Sequence, residues 1–270
     1  MAQESPDCPQ SAERPAHFHY HACAHAFAGR FTRPFHEQIH VQAASSLPPT
    51  GGHGSARIEN FQFHEFISFK KGYTHVSGGF QHSDESNNTL VTSVLEGLNM
   101  MDILTADRVV CRLYSKHRKH EPEGRITMHG SRFENLRIAG QPVNMNLDFG
   151  LFEDIQTYDQ AQTAYKTNDK FKKLAEDPLQ SGQILPEQKC NGAFLCSLVE
   201  GDIQTGHGRV KGPSHSIYVP GFGRVFLAEV FISHGTRTLT MLRFELGSST
   251  SGAGSAAVAT TNGRNFPPTG

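Results

Sequence analysis

Apolar and polar residues alternate with a period of two through most of the chain, and this pattern limits the fold more than any other feature. In PVNMNLDF (142–149) every second residue is apolar, and the residues between them are asparagine or aspartate. FHEQIHVQA (35–43) alternates in the same way. Successive side chains of a β-strand point to opposite faces, so this period predicts strands with one face in a core. The sequence therefore predicts a protein built mainly of β-strands.

About ten such strands can be recognised, including a single strand over ENFQFHEFISF (59–69). Turn sequences such as SLPPTGGHG, IAGQP and VPGFG separate them. One stretch, near 157–177, instead spaces its apolar residues as a helix does, with Asn168 as a candidate N-cap. Many strands and one helical excursion predict an all-β fold, an antiparallel β-sandwich or a flattened barrel with one short helical insert.

The ends of the chain differ in composition from its centre. Residues 1–16 are rich in proline, glutamate and serine, and we expect a flexible N-terminal arm there. Residues 247–270 are small and polar without an evident core stripe, which predicts a low-complexity, flexible C-terminal tail. The β-sandwich domain is accordingly predicted to span residues 17–246.

Charge and hydropathy exclude several classes of partner. The formal net charge of −1 at pH 7 gives no cationic surplus for a phosphate backbone, so we expect no nucleic-acid binding. No apolar run approaches the roughly 20 residues that a membrane-spanning helix needs. The first residues also lack the apolar core of a secretory signal. We expect a cytoplasmic protein, or one at the cell surface if a leader is missing from this sequence.

The alternate positions 17, 19, 21, 23 and 25 of HFHYHACAHAFAGRF (17–31) are histidine, apart from Cys23, which predicts a histidine-rich strand face. Folding residues 17–27 back onto residues 34–43 gives one antiparallel register that agrees with the alternation of both segments. That register sets three pairs side by side: His21 with His40, His25 with His36, and Ala22 with Ile39. Imidazoles on neighbouring strands at such separations can converge on one divalent ion.

Two interpretations of this histidine face remain open. It is either the solvated face of a strand or a metal site, with zinc favoured by the ligand type. The metal hypothesis centres on His19, His21 and His40, with His25 or His36 as alternates. No carboxylate lies on the same face to orient an imidazole, which weakens the hypothesis of a metal-dependent enzyme.

Other catalytic signals are few, and we predict no catalytic residue. Glu65 and Glu229 each interrupt an apolar face, and Arg243 is a plausible partner for Glu229. The five cysteines form no CxxC pair. Cys111 and Cys196 lie in apolar runs, where we expect buried free thiols.

A central segment carries a family resemblance. TLVTSVLEGLNMMDILTADRVVCRLYSKH (89–117) and GSRFENLRIAGQPVNMNLD (130–148) resemble bacterial all-β proteins of the choice-of-anchor P type over about 60 residues. The matching motifs encode turns and core stripes, so the resemblance implies a surface-associated β domain and brings no catalytic residue with it. It also implies export, whereas the chain shows neither a leader nor a C-terminal anchoring helix.

The functional expectation is a structural or self-assembling β-sandwich that acts through protein–protein contacts, as a homo-oligomer or with an assembly partner. The alternative is a zinc-type enzyme or metal-binding protein that uses the histidine hairpin. A third possibility, an adhesin-like ligand binder, requires a concave aromatic patch. No cofactor other than possible zinc is expected.

Overall fold

The computed structural model describes residues 18–119, 121–180, 193–205, 208–210, 215–247 and 249–262. Within them lie eighteen strands and three helices. The first eleven strands are β1 (Ala22–Arg33), β2 (Glu37–Gln42), β3 (Ser45–Ser46), β4 (Gly52–Phe63), β5 (Ile67–Gln81), β6 (Ser86–Met100), β7 (Leu104–Arg118), β8 (Arg125–Thr127), β9 (Arg132–Glu134), β10 (Arg137–Ile138) and β11 (Gln141–Leu147). The helices and later strands are α1 (Phe149–Asp154), α2 (Tyr158–Thr167), α3 (Asp169–Gln180), β12 (Ala193–Ser197), β13 (Val199–Thr205), β14 (Gly208–Val210), β15 (Ser216–Val219), β16 (Gly223–Ser233), β17 (Thr236–Leu246) and β18 (Ser251–Asn262).

These strands form two antiparallel sheets. In sheet 1 the order is β12-β16-β17-β18-β1-β2, with β15 paired to β16 and β3 paired to β1. In sheet 2 the order is β14-β13-β11-β10-β7-β6-β5-β4, with β8 and β9 paired to β7. The two sheets remain separate and pack face to face, which confirms the predicted sandwich over the barrel alternative.

Aromatic and aliphatic side chains fill the space between the sheets. Phe27 of sheet 1 is fully buried, and its ring centroid lies 6.0 Å from that of Phe69 in sheet 2. Burial of one such side chain contributes about 1.5–3 kcal/mol. Polar contacts also join the sheets, since the Ser93 hydroxyl donates to the His25 carbonyl at 2.7 Å. Cys111 and Cys196 are buried free thiols, as predicted.

The helical insert packs against strands β12 and β16 of sheet 1. Helix α2 contacts β16 and α3 contacts β12, and Phe152 of α1 lies beside Val230 and Ile232 of β16. A capping box begins α2: the Gln160 amide donates to Thr157 Oγ1 at 3.2 Å, and the Gln160 side chain accepts from the Thr157 amide at 3.0 Å. The Asn168 side chain accepts from the Phe171 amide at 3.1 Å, as expected of a cap. None of the described helices is long and apolar enough to cross a bilayer.

The C-terminal segment departs from its prediction. Residues 251–262 form β18, which lies between β17 and β1 in sheet 1, so the prediction of a flexible tail is wrong for these residues. Small side chains are needed because neighbours leave no room: a Cβ on Gly254 would lie 2.4 Å from Phe244 Cζ. Residues 263–270, the rest of that predicted tail, lie outside the described residues, as do residues 1–16.

A second correction concerns the strand predicted over residues 59–69. The structure makes a hairpin there, with Phe63 of β4 paired to Ile67 of β5. The connecting residues contain no glycine or proline, and His64 adopts the left-handed conformation with φ 47°. Glu65 is exposed in this turn, so its predicted place on an apolar face is also wrong.

Candidate functional site

The predicted histidine hairpin exists, but its register is different. Strand β1 continues to Arg33, so Gly29 rather than Ala22 pairs with Ile39. The register is therefore wrong by seven residues, and the proposed pairing of His21 with His40 and of His25 with His36 does not occur. The physical reason is that residues 28–33, expected to form the turn, continue the strand and bury Phe31.

The five candidate ligands are dispersed as a result. His19 and His21 are exposed before β1, His36 is exposed before β2, and His40 is exposed on β2. His25 lies opposite Val258 of β18, with its Nε2 atom 3.3 Å from the Ser255 hydroxyl. Burial lowers the pKa of His25. No three of these histidines bring ligand atoms within 4.8 Å of one another in the described structure, and zinc binding by them stays a prediction.

Within the described ranges, three potential ligands converge at one place, around Glu123. Glu123 lies in the loop between β7 and β8, Asp159 in the first turn of α2, and His234 in the turn between β16 and β17. One ligand atom from each lies within 4.8 Å of the others. We call these three side chains the Glu123 cluster.

Hydrogen bonds fix the carboxylate of Glu123, which is only 4% exposed. Its Oε2 atom accepts from the backbone amide of Tyr158 and from Arg237 Nη2, the latter at 3.5 Å. Its Oε1 atom lies 3.1 Å from His234 Nδ1. Arg237 is itself buried, and this burial lowers its pKa to about 10, so the guanidinium stays charged at neutral pH.

The environment of the Glu123 cluster is acidic and open on one side. Asp159 is exposed, and the His234 side chain is half-exposed. A cavity of about 380 Å³ adjoins Glu123 and Asp159. Five of its lining residues are acidic against one arginine: Glu121, Glu123, Glu153, Asp154 and Asp159, with Arg125. Carboxylate oxygens and an imidazole nitrogen are ligands for zinc and similar divalent ions, so the chemistry of this donor set fits a metal.

No pattern in the sequence predicts the Glu123 cluster. Its members come from a loop, a helix and a turn, and the Glu123 and His234 side chains are 111 residues apart. The sequence Ser233-His234-Gly235 indicates a hairpin turn. It does not indicate that His234 could be a metal ligand.

A larger cavity, of about 800 Å³, is lined by residues of β11 and β13. Asn144 lies opposite Gln204 and Asn146 lies opposite Glu200, and all four side chains are exposed. Three residues of β13 lie opposite the single Met145, so β13 bulges between these pairs. The segment from Ser131 to Arg137 forms the other wall. We call this feature the β11 groove.

Ion pairs leave one cation of the β11 groove without a carboxylate partner. Lys170 binds Glu200 at 2.9 Å, and Arg132 binds Glu134 at 2.7 Å. Arg137 forms no ion pair with any residue that the structure describes, and its nearest hydrogen bond is to the Gly140 carbonyl at 3.4 Å. The asparagine amides of β11 also make no hydrogen bond within the described part of the chain.

The fold and these sites define the class as a two-sheet antiparallel β-sandwich with a helical insert and an amide-lined groove. The chain belongs to the family described as a domain of unknown function, DUF8256, whose model matches residues 18–189 and 179–233. Searches of the curated proteins and of the solved structures found no significant match. The resemblance to the choice-of-anchor P type stays a prediction.

Proposed function

We propose that this protein is a non-catalytic binding protein that holds an extended polypeptide segment of a partner in the β11 groove. The observation that carries the proposal is the pair of exposed amides at Asn144 and Asn146, two residues apart on one face of β11. The proposal retains the expected action through protein–protein contacts and assigns it to a particular surface.

The spacing of the amides suits a polypeptide. Side chains two residues apart on a strand are separated by about 6.8 Å, which is also the two-residue repeat of an extended peptide. Each asparagine amide offers both a donor and an acceptor, so it can pair with the N–H and C=O of a peptide main chain. Gln204, opposite Asn144, adds a third amide of the same kind.

The remaining groups of the β11 groove favour a peptide with an acidic residue. Arg137 is exposed without a carboxylate partner among the described residues, whereas Glu200 is already paired with Lys170. Phe133 and Phe149 are half-buried and packed against the core, which leaves little ring surface for stacking a sugar. A carbohydrate ligand is therefore less well supported.

A random peptide library displayed on phage, selected on the full-length protein, tests this proposal. We expect enriched peptides that contain an acidic residue. Their affinity should fall at least about tenfold in Asn144→Ala/Asn146→Ala, since two pairs of hydrogen bonds are lost. Gln38→Ala, an exposed amide on β2, is the matched control and should bind normally. Failure to enrich any peptide, or equal binding by the double variant, contradicts the proposal.

Self-assembly is a second candidate, and the observation that favours it is the edge strand β4. This strand has twelve residues and, among the residues that the structure describes, pairs only with β5. Its unpaired edge is a template for a strand of another copy. Light scattering coupled to size-exclusion chromatography should give a mass above the 29.7 kDa monomer, and His53→Lys/Ser55→Lys should restore the monomer. A monomeric wild-type protein refutes this candidate.

A further inference from the structure

We infer that the Glu123 cluster is a zinc site, in which Glu123, Asp159 and His234 each supply one ligand atom. The three atoms already lie within 4.8 Å of one another. Zinc bonds to carboxylate oxygen and imidazole nitrogen are about 2.0–2.2 Å long, so tetrahedral ligands stand about 3.3 Å apart. The 3.1 Å separation of Glu123 Oε1 from His234 Nδ1 is close to that value, and the Asp159 ligand atom lies within 4.8 Å of both.

Neighbouring groups orient two of the three ligands. The Tyr158 amide and Arg237 engage Glu123 Oε2, which directs Oε1 toward His234. The Tyr158 ring packs on the imidazole, with centroids 3.7 Å apart, and restricts its rotation. Groups that hold a ligand in this manner raise metal affinity because less conformational freedom is lost on binding.

Charge at the Glu123 cluster also favours a cation. Of the two ligand carboxylates, Glu123 pairs with Arg237, and the adjoining cavity adds three further acidic residues against Arg125. A divalent ion therefore enters a region of negative potential. Glu123 forms the buried floor, and Asp159 and His234 form a rim open to solvent, so water can complete the coordination.

The consequence of zinc binding would be mechanical. The three ligands belong to the β7–β8 loop, to α2 and to the β16–β17 turn, which are far apart in the chain. One ion joining them fixes the helical insert to sheet 1. The ion pairs of Glu123 already join these elements without metal. The experiment must therefore distinguish a bound zinc ion from these ion pairs alone.

Calorimetric titration of ZnCl₂ into the full-length, EDTA-treated protein is the first measurement. We expect one tight equivalent that is lost, or weakened at least about tenfold, in both Asp159→Asn and His234→Ala. Glu123 is kept intact because it also caps α2 and pairs with Arg237. The controls are Asp154→Asn, an exposed acid of the same cavity, and His129→Ala, another exposed histidine paired with a glutamate. Both should bind zinc as the wild type does.

Thermal unfolding with and without zinc is the second measurement. Zinc should raise the Tm of the wild type and of both controls but not that of Asp159→Asn or His234→Ala, because a ligand stabilises the state that binds it. His21→Ala/His40→Ala tests the dispersed histidines and should leave the tight equivalent unchanged. Loss of that equivalent in His21→Ala/His40→Ala, its survival in Asp159→Asn and His234→Ala, or an unchanged wild-type Tm overturns the inference.

Discussion

Arg243 donates two hydrogen bonds to the carboxylate of Glu229, from Nε to Oε2 at 2.6 Å and from Nη2 to Oε1 at 2.9 Å. Glu229 is 5% exposed, and this bidentate pair neutralises its buried charge. The guanidinium also lies over the Phe226 ring at 3.6 Å. Partnership of these two residues, predicted from the sequence, is confirmed.

Removal of the cation should cost more stability than removal of the anion. Arg243→Met keeps the packing on Phe226 but leaves Glu229 buried without its two donors, so we expect a loss of about 3 kcal/mol. Glu229→Gln keeps a hydrogen-bonding group and leaves a partly exposed arginine that still pairs with Glu245, so about 1 kcal/mol is expected. Urea denaturation measures both values, and the reverse order would contradict the account.

Strand β18 should tolerate no added side-chain volume at Gly254. In Gly254→Ala the new Cβ would lie 2.4 Å from Phe244 Cζ and 2.6 Å from the Ala28 carbonyl oxygen, which we expect to cost about 2 kcal/mol. Gly79→Ala in β5 is the matched control, since a Cβ there meets nothing within 4 Å. Thermal denaturation should show a lowered Tm for the first variant alone. Equal Tm values would mean that β18 is not packed as described.

Thiol labelling should distinguish buried from accessible cysteines. Burial raises the pKa of both Cys111 and Cys196, so neither forms the reactive thiolate in the folded protein. Cys23 is partly exposed. Mass spectrometry after iodoacetamide treatment at pH 8 should find Cys23 modified in the native protein and the other two only after addition of guanidinium. Native labelling of Cys111 would show that the core opens.

The pH dependence of stability should report the environment of His25. Because burial lowers the pKa of His25 in the folded state, the unfolded chain binds more protons just below pH 6.5. The free energy of unfolding should therefore fall as the pH drops from 6.5. His25→Gln should make this fall shallower, whereas His40→Gln, at an exposed position, should not. Denaturation curves between pH 5 and 8 measure the effect, and parallel curves for wild type and His25→Gln would contradict it.

Strand alternation predicted which side chains share a face, and the structure agrees in β11. Val143 is buried while Asn144 and Asn146 are exposed. Alternation does not show which strands are neighbours. The predicted pairing of the histidine-bearing strands is wrong for that reason. His25 lies next to Ser255, 230 residues away, and not next to His36. Pairing over such a distance depends on the packing of the whole sheet.

Local sequence patterns do not predict where the backbone of a strand becomes irregular. Ala228 in β16 and Ala257 in β18 have φ values of 51°, and the pairing with β17 skips each of them together with Met241, without a change of register. Left-handed geometry costs alanine about 1–2 kcal/mol, so the residue type does not predict this conformation. The Glu123 cluster escaped prediction for a related reason, since a loop, a helix and a turn share no repeat.

The adjacency of β1 and β18 has a consequence for biosynthesis. His25 leaves the ribosome 230 residues before the Ser255 that it contacts, an interval of about 10–50 seconds at ordinary elongation rates. During that time the apolar strand β1 lacks its neighbour β18. The local hairpins of β4–β7 can already have formed. Completion of sheet 1 must therefore wait until β18 has been synthesised, because β1 pairs with it.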